Sequence, residues 1–99
     1  MTQEEHIKYW RDSSDYDMQV AIDMLKASHY LYVGFLCHQA TEKLLKSYWC
    51  KEVNVTPLRI HTLTRLATKS GLWGKMDDRQ KQELGILEPL NISCMYPDY

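Results

Sequence analysis

The sequence lacks the long apolar runs and the glycine patterns that identify several protein classes. No run approaches the about 18 apolar residues of a transmembrane helix, and the polar, acidic start of the chain does not resemble a secretory leader. The four glycines are isolated, so there is no phosphate-binding loop or dinucleotide fingerprint. No serine stands in a nucleophile elbow. We therefore expect no membrane partner.

Cysteine is also scarce, and metal-ligand patterns are missing. The three cysteines form no CxxC pair and are odd in number, which favours a cytoplasmic protein with reduced thiols. We expect Cys37 to be a small core residue. His38 and Glu42 have the i,i+4 spacing of two ligands on one helix, but nothing completes a set around them. The sequence therefore predicts no metal and no cofactor, and His38 is interpreted as a surface or interface residue.

A strong excess of basic charge is absent as well. The formal net charge of −1 argues against a domain that binds nucleic acid by bulk charge, although a local basic site is compatible with it. A chain of 99 residues with 44% hydrophobic and 25% charged residues is typical of one globular domain, here residues 1–99.

No convincing strand pattern is present, and the periodicity predicts an all-α, antiparallel (up-down) four-helix bundle. The first helix is expected within residues 1–29, with its regular part starting near Ser13, because Asp12, Ser13 and Ser14 are weak helix formers that could mark a cap. A second helix is expected over residues 31–52. The first two helices are expected to form a long antiparallel pair.

Local signals predict the limits of two shorter helices. Thr62 is a plausible N-cap of the third helix, and Gly71 is a reasonable stop. Asp77 and Gln80 have capping-box spacing at the start of the fourth helix. Pro89 removes a backbone donor, so we expect a kink near Pro89 or a helix in two pieces.

The second predicted helix carries an apolar and a polar stripe. The apolar positions are Val33, Leu36, Cys37, Ala40, Leu44 and Tyr48. The polar positions are Gln39, Glu42, Lys43 and Lys46. An amide, a carboxylate and two ammonium groups on one face could bind a phosphate or the edge of a nucleotide. The alternative is an ordinary hydrated face with one ion pair, between Glu42 and Lys46.

Four segments resemble the HEPN family in the correct order. The run His38–Lys46, HQATEKLLK, resembles the family's QAxEKxLK signature. Three further matches are looser: Asp17, Ala21, Leu25 and Tyr30 in the first helix; Pro57, His61, Leu63 and Leu66; and Leu87, Leu90, Asn91 with Tyr96, Pro97 and Asp98. The resemblance covers residues 17–99.

This resemblance implies a helical bundle that usually dimerises. Members of this subtype are often encoded beside a minimal nucleotidyltransferase and form toxin–antitoxin-like pairs. Many HEPN domains are metal-independent ribonucleases with an Arg-x4-6-His motif. Here none of the four arginines has a histidine at that spacing, and Met95 replaces the arginine of the family's RYPD segment. Family members normally continue past this segment into a further helix, so the chain is expected to be either a natural short form or truncated. A missing helix would expose apolar surface and favour dimerisation or another partner.

The predicted function is therefore a non-catalytic HEPN domain that binds a nucleotide, RNA or a partner protein, without catalytic residues. The predicted binding residues are Gln39, Glu42, Lys43, Lys46, His61, Tyr96 and Asp98. Predicted partners are a second copy of the chain and a minimal nucleotidyltransferase. One alternative is a ribonuclease toxin that uses His38 or His61 with Lys43. Another is a purely structural dimerisation module, which would use aromatic residues such as Tyr9 and Tyr30.

Overall fold

The computed structural model describes residues 1–54 and 59–91. It contains four α-helices, α1 (Gln3–Lys26), α2 (Tyr30–Glu52), α3 (Leu63–Lys69) and α4 (Asp78–Leu87), and a short 3-10 helix, η1 (Trp73–Lys75). No strand occurs in these residues, so the predicted all-α class is confirmed. No described helix is both long enough and apolar enough to cross a membrane.

Helix α1 begins earlier than predicted. It starts at Gln3, and the side chain of Thr2 caps it by accepting a backbone N–H of the first turn. The expectation that the regular helix starts near Ser13 is wrong. Ser14 is buried inside the helix, and its hydroxyl donates to the carbonyl of Ala40 at 2.6 Å. This packing against α2 outweighs the weak helix propensity of the surrounding residues.

Helices α1 and α2 form the predicted antiparallel pair. A turn with Ser28 at a φ of 64° connects them. Side-chain to backbone hydrogen bonds connect the two helices. The α2 residue in these bonds has a lower number as the number of the α1 residue rises, which shows that the two helices are antiparallel. These bonds join Gln3 to Cys50, Ile7 to Ser47, and Ser14 to Ala40.

The hydrophobic core lies on the other side of α2, against α3. Leu63 and Leu66 of α3 are fully buried there. The other buried members of this cluster are Leu45, Trp49, Ala67 and Leu84, and its half-buried neighbours include Leu72 and Trp73. Gly71 has a φ of +84°, and it ends the α3 segment as predicted, because this conformation is strained for residues with a Cβ.

Helix α4 starts with the predicted capping box. Asp77 accepts from the backbone N–H of Gln80, whose side chain accepts the backbone N–H of Asp77 in return. The helix ends at Leu87, before Pro89. The predicted kink near Pro89, or a helix in two pieces, stays a prediction.

The burial of α2 differs from the predicted apolar stripe. Leu44 is 53% exposed, whereas its neighbour Leu45 is 6% exposed and belongs to the core. Ala40 is buried as expected, but Cys37 is only half-buried. Because α2 packs against α1 on one side and against α3 on another, its buried surface does not coincide with a single helical stripe.

Candidate functional site

A pocket of about 390 Å³ opens beside α2. Its walls come from α2, from the segment before α3, and from the segment after α4. The lining residues are Phe35, His38, Gln39, Glu42, His61 and Asn91. The four α2 residues follow spacings of three, one and three, which places them on one helical face. The volume is in the lower part of the range for small-molecule sites, roughly 300–1,000 Å³.

Glu42 is the central charged group of this pocket. Its Oε2 accepts a hydrogen bond from Lys46 Nζ at 3.0 Å and lies 3.2 Å from His61 Nδ1. The Glu42 and Lys46 side chains are only 6% and 7% exposed. The Lys46 ammonium also lies 5.0 Å from the centre of the Trp10 ring. The interpretation of these positions as an ordinary hydrated face is therefore wrong, although the ion pair is present.

His38 is buried, not on the surface as expected. It is 1% exposed, and neither ring nitrogen has a hydrogen-bond partner in the described part of the chain. Its Nε2 lies 3.9 Å from Oε2 of Glu88. Burial lowers the pKa of His38 below the ordinary 6.5, and the opposing effect of Glu42 and Glu88 does not cancel this shift. The imidazole is therefore neutral near pH 7, with one donor and one acceptor nitrogen.

Glu88 fixes the segment that carries His61. Its carboxylate accepts hydrogen bonds from the backbone N–H groups of Leu63 and Thr64 at 2.9 and 3.0 Å, and from the Thr64 hydroxyl at 3.1 Å. Thr62 stands at the N-cap of α3 as predicted but makes no capping bond with its side chain. Glu88 supplies that function from a distant part of the sequence, since its negative charge suits the N-terminus of the helix.

A comparison with protein families covers most of the chain. The model of the HEPN domain family matches residues 7–99. The chain belongs to the HEPN family. A comparison with curated proteins and one with solved structures found no match. The family match includes all of α2, so the pocket of this HEPN domain is built on the helix that contains the segment similar to QAxEKxLK.

The predicted binding residues of this HEPN domain separate into three groups. Gln39, Glu42 and His61 line the pocket together. Lys46 lies behind Glu42 as its counterion. Lys43 does not line the pocket, because it forms an ion pair with Asp17 of α1 at 2.7 Å. The remaining two predicted residues, Tyr96 and Asp98, lie outside the described residues.

Three lining residues were not among the predicted binding residues. Phe35 and His38 precede Gln39 and Glu42 by one helical turn, so helical spacing alone could have placed them on this face. Asn91 reaches the pocket because Leu90 packs against Gly34, where an added Cβ would lie 3.4 Å from a Leu90 methyl group. No local sequence signal indicates that contact.

The pocket offers hydrogen-bonding groups on the neutral His38 and the acidic Glu42. Oε1 of Glu42 and both nitrogens of His38 are buried without a hydrogen-bond partner among the described residues. In that part of the chain, no group of three or more His, Cys, Asp or Glu side chains could hold a metal ion. The pocket can therefore accept N–H donors at Glu42 and offer one donor and one acceptor at His38.

Proposed function

We propose that this HEPN domain is a non-catalytic binding module that takes a nucleotide, free or within RNA, into the pocket beside α2. The observation that supports this most directly is the set of polar atoms on His38 and Glu42 in the pocket wall that have no hydrogen-bond partner among the described residues. A buried polar group without a partner costs about 1–3 kcal/mol. A ligand that supplies the missing donors and acceptors removes this cost.

The sequence supports a binding role over cleavage. An arginine of the Arg-x4-6-His motif would stabilise the charge of the phosphate that is being cleaved, and its histidine would transfer the proton. None of Arg11, Arg59, Arg65 and Arg79 has a histidine at that spacing. Lys43 and Lys46, which could replace such an arginine, already have carboxylate partners. The domain therefore holds its ligand without cleaving it.

The first test measures binding and cleavage in the same samples. We expect nucleotides or short single-stranded RNAs to bind the full chain in calorimetric titrations, and the RNA to remain intact on a denaturing gel. Gln39→Ala should weaken binding by about tenfold, because the pocket loses the hydrogen bonds of an amide. Gln39 is half-buried, so this truncation should leave the fold intact.

Arg79→Ala is the matched control. Arg79 is an exposed residue of α4 that pairs with Glu83 on the same helix, and its loss should leave binding unchanged. Absence of binding to every nucleotide and RNA would overturn the proposed function. RNA that is cleaved by the wild type and protected in His61→Ala would instead establish the ribonuclease alternative.

A second candidate role is pairing with another copy of the chain. Large apolar side chains are exposed on α1 and at the start of α2, including Tyr9, Tyr16, Leu25 and Tyr30, which are 53–71% exposed. Exposed apolar surface of this extent favours a protein partner.

A minimal nucleotidyltransferase partner and a toxin–antitoxin role follow from the family resemblance alone.

Light scattering over a concentration series tests the homodimer. We expect a mass near twice the 11.7 kDa of the chain. Leu25→Asp should shift the protein toward the monomer, because it puts a charge on the exposed apolar surface of α1. Gln82→Asp on α4 is a control, since Gln82 is exposed and polar. A strict monomer at the highest concentration would contradict this role.

A further inference from the structure

The pocket offers little that could bind a phosphate. The two lysines of the polar stripe are engaged, Lys43 with Asp17 at 2.7 Å and Lys46 with Glu42 at 3.0 Å. The acidic group in the pocket wall keeps one buried oxygen, Glu42 Oε1, without a partner among the described residues. A phosphate placed there would meet a like charge at short range, in surroundings where water screens poorly. An anion is therefore disfavoured, and no second cation is required because Lys46 already balances the charge of Glu42, so the group that enters the pocket should be uncharged.

Oε1 of Glu42, which has no partner in the described part of the chain, determines which uncharged group fits. Oε2 of Glu42 already faces two nitrogen atoms, from Lys46 and His61. Oε1 keeps both of its lone pairs and can accept two N–H donors. Phe35 adds an aromatic wall, which favours a planar ring. The pocket is thus complementary to a flat heterocycle with two N–H donors on adjacent atoms of one edge.

We propose that the pocket selects a guanine base, with its N1–H and 2-amino group directed at Glu42 and with the ribose and phosphate outside. Among the four RNA bases, guanine alone has two donor groups on adjacent atoms. Adenine and cytosine place a ring acceptor beside their amino group, and uracil flanks its single N–H with carbonyl oxygens. His38, with one N–H in its neutral form, can donate to the guanine carbonyl. The selectivity rests on the proposed function and goes further, because it names the base.

Calorimetric titrations of the full chain with small ligands test this. We expect guanosine and guanosine 5′-monophosphate to bind within about threefold of each other, because the phosphate stays outside the pocket. Inosine, which lacks the 2-amino group, and 1-methylguanosine, which lacks N1–H, should each bind at least about tenfold more weakly. Inorganic phosphate should neither bind nor compete.

A paired substitution tests the role of Glu42 without leaving a buried charge. Glu42→Gln with Lys46→Met removes both charges and nearly keeps both side-chain shapes. This double variant should lose guanosine binding by tenfold or more and retain the circular dichroism spectrum of the wild type. Phe35→Leu, which removes the aromatic face, should also weaken guanosine binding by several fold, and it provides the test if the double variant fails to fold. The exposed Arg79→Ala substitution should leave the affinity unchanged.

The outcomes distinguish this inference from the proposed function. Equal affinity for guanosine and inosine, or competition by inorganic phosphate, would overturn the guanine assignment and leave the binding function in place. Tight binding of guanosine 5′-monophosphate without binding of guanosine would do the same. Absence of binding to every nucleoside, nucleotide and RNA would overturn both.

Discussion

Replacing Glu42 with alanine should lower the free energy of unfolding by about 3–5 kcal/mol, because it leaves a buried ammonium group without its counterion. The Glu42 and Lys46 side chains are 6% and 7% exposed and lie 3.0 Å apart. After the substitution, the Lys46 ammonium keeps the ring of Trp10 at 5.0 Å. That contact contributes about 0.5–2 kcal/mol and cannot replace a carboxylate. The expected loss is a large fraction of the roughly 5–15 kcal/mol that stabilises a small domain.

Urea unfolding followed by tryptophan fluorescence measures this loss. The control is the double variant Glu42→Gln with Lys46→Met, which should unfold much closer to the wild type than Glu42→Ala does. Replacing both members of a buried ion pair removes the cost of burying charge together with the attraction, whereas removing one member leaves that cost uncompensated. A Glu42→Ala variant as stable as the wild type would show that the pair is hydrated in solution.

We expect the ion pair also to link the stability of the fold to the proposed ligand binding. Lys46 and His61 both occupy the Oε2 side of Glu42, and this leaves Oε1 as the acceptor in the pocket. The same bonds hold the carboxylate in one orientation before a ligand arrives. A preorganised acceptor loses little side-chain entropy on binding, which favours affinity. We therefore expect Lys46 to affect ligand binding without touching the ligand.

Local signals were sufficient to predict several features of the fold. The second helix was predicted over residues 31–52 and is observed as Tyr30–Glu52. The capping box of Asp77 and Gln80 and the stop at Gly71 are both observed. Each of these features depends on residues within a few positions of one another, and such short-range preferences can be read directly from a sequence.

Features that depend on packing between helices could not be predicted in this way. The early start of α1 depends on contacts with α2, including the bond from Ser14 to Ala40. Leu44 and Leu45 are equally hydrophobic, and only the position of α3 decides that Leu45 is the buried one. The burial of His38 has the same origin, because its side of α2 lies next to the segments around α3 and α4.

The candidate site shows the same division. Gln39 and Glu42, which line the pocket, were predicted because their residue types and their helical spacing point to one polar face, and the family resemblance supports that face. Lys43 belongs to the same polar stripe in the sequence, but it forms an ion pair with Asp17 of α1 and does not line the pocket. Asn91 and Glu88 come from a distant part of the chain, and only the folded arrangement brings them to α2.

Replacing Leu66 with alanine should cost about 2–5 kcal/mol, because it leaves a cavity in the core between α2 and α3. Leu66 is fully buried, and its neighbours include Trp49 and Leu84. Leu44→Ala is a control with the same chemical change at a position that is 53% exposed, and its effect should stay within about 0.5 kcal/mol. Urea unfolding of both variants measures the difference. Similar losses for the two would mean that the predicted apolar stripe through Leu44 is buried after all.

Leu66→Ala should also weaken ligand binding in molecules that remain folded. Helix α3 has seven residues, too few for independent stability, so packing and the bonds to Glu88 must hold it. A cavity under α3 loosens the helix and, with it, the carboxylate of Glu88 and the adjoining segment of His61. His61, which faces Oε2 of Glu42, is then held less firmly. A weaker affinity for the ligand below the unfolding transition, with no such change in Leu44→Ala, would show that the core fixes the geometry of the pocket.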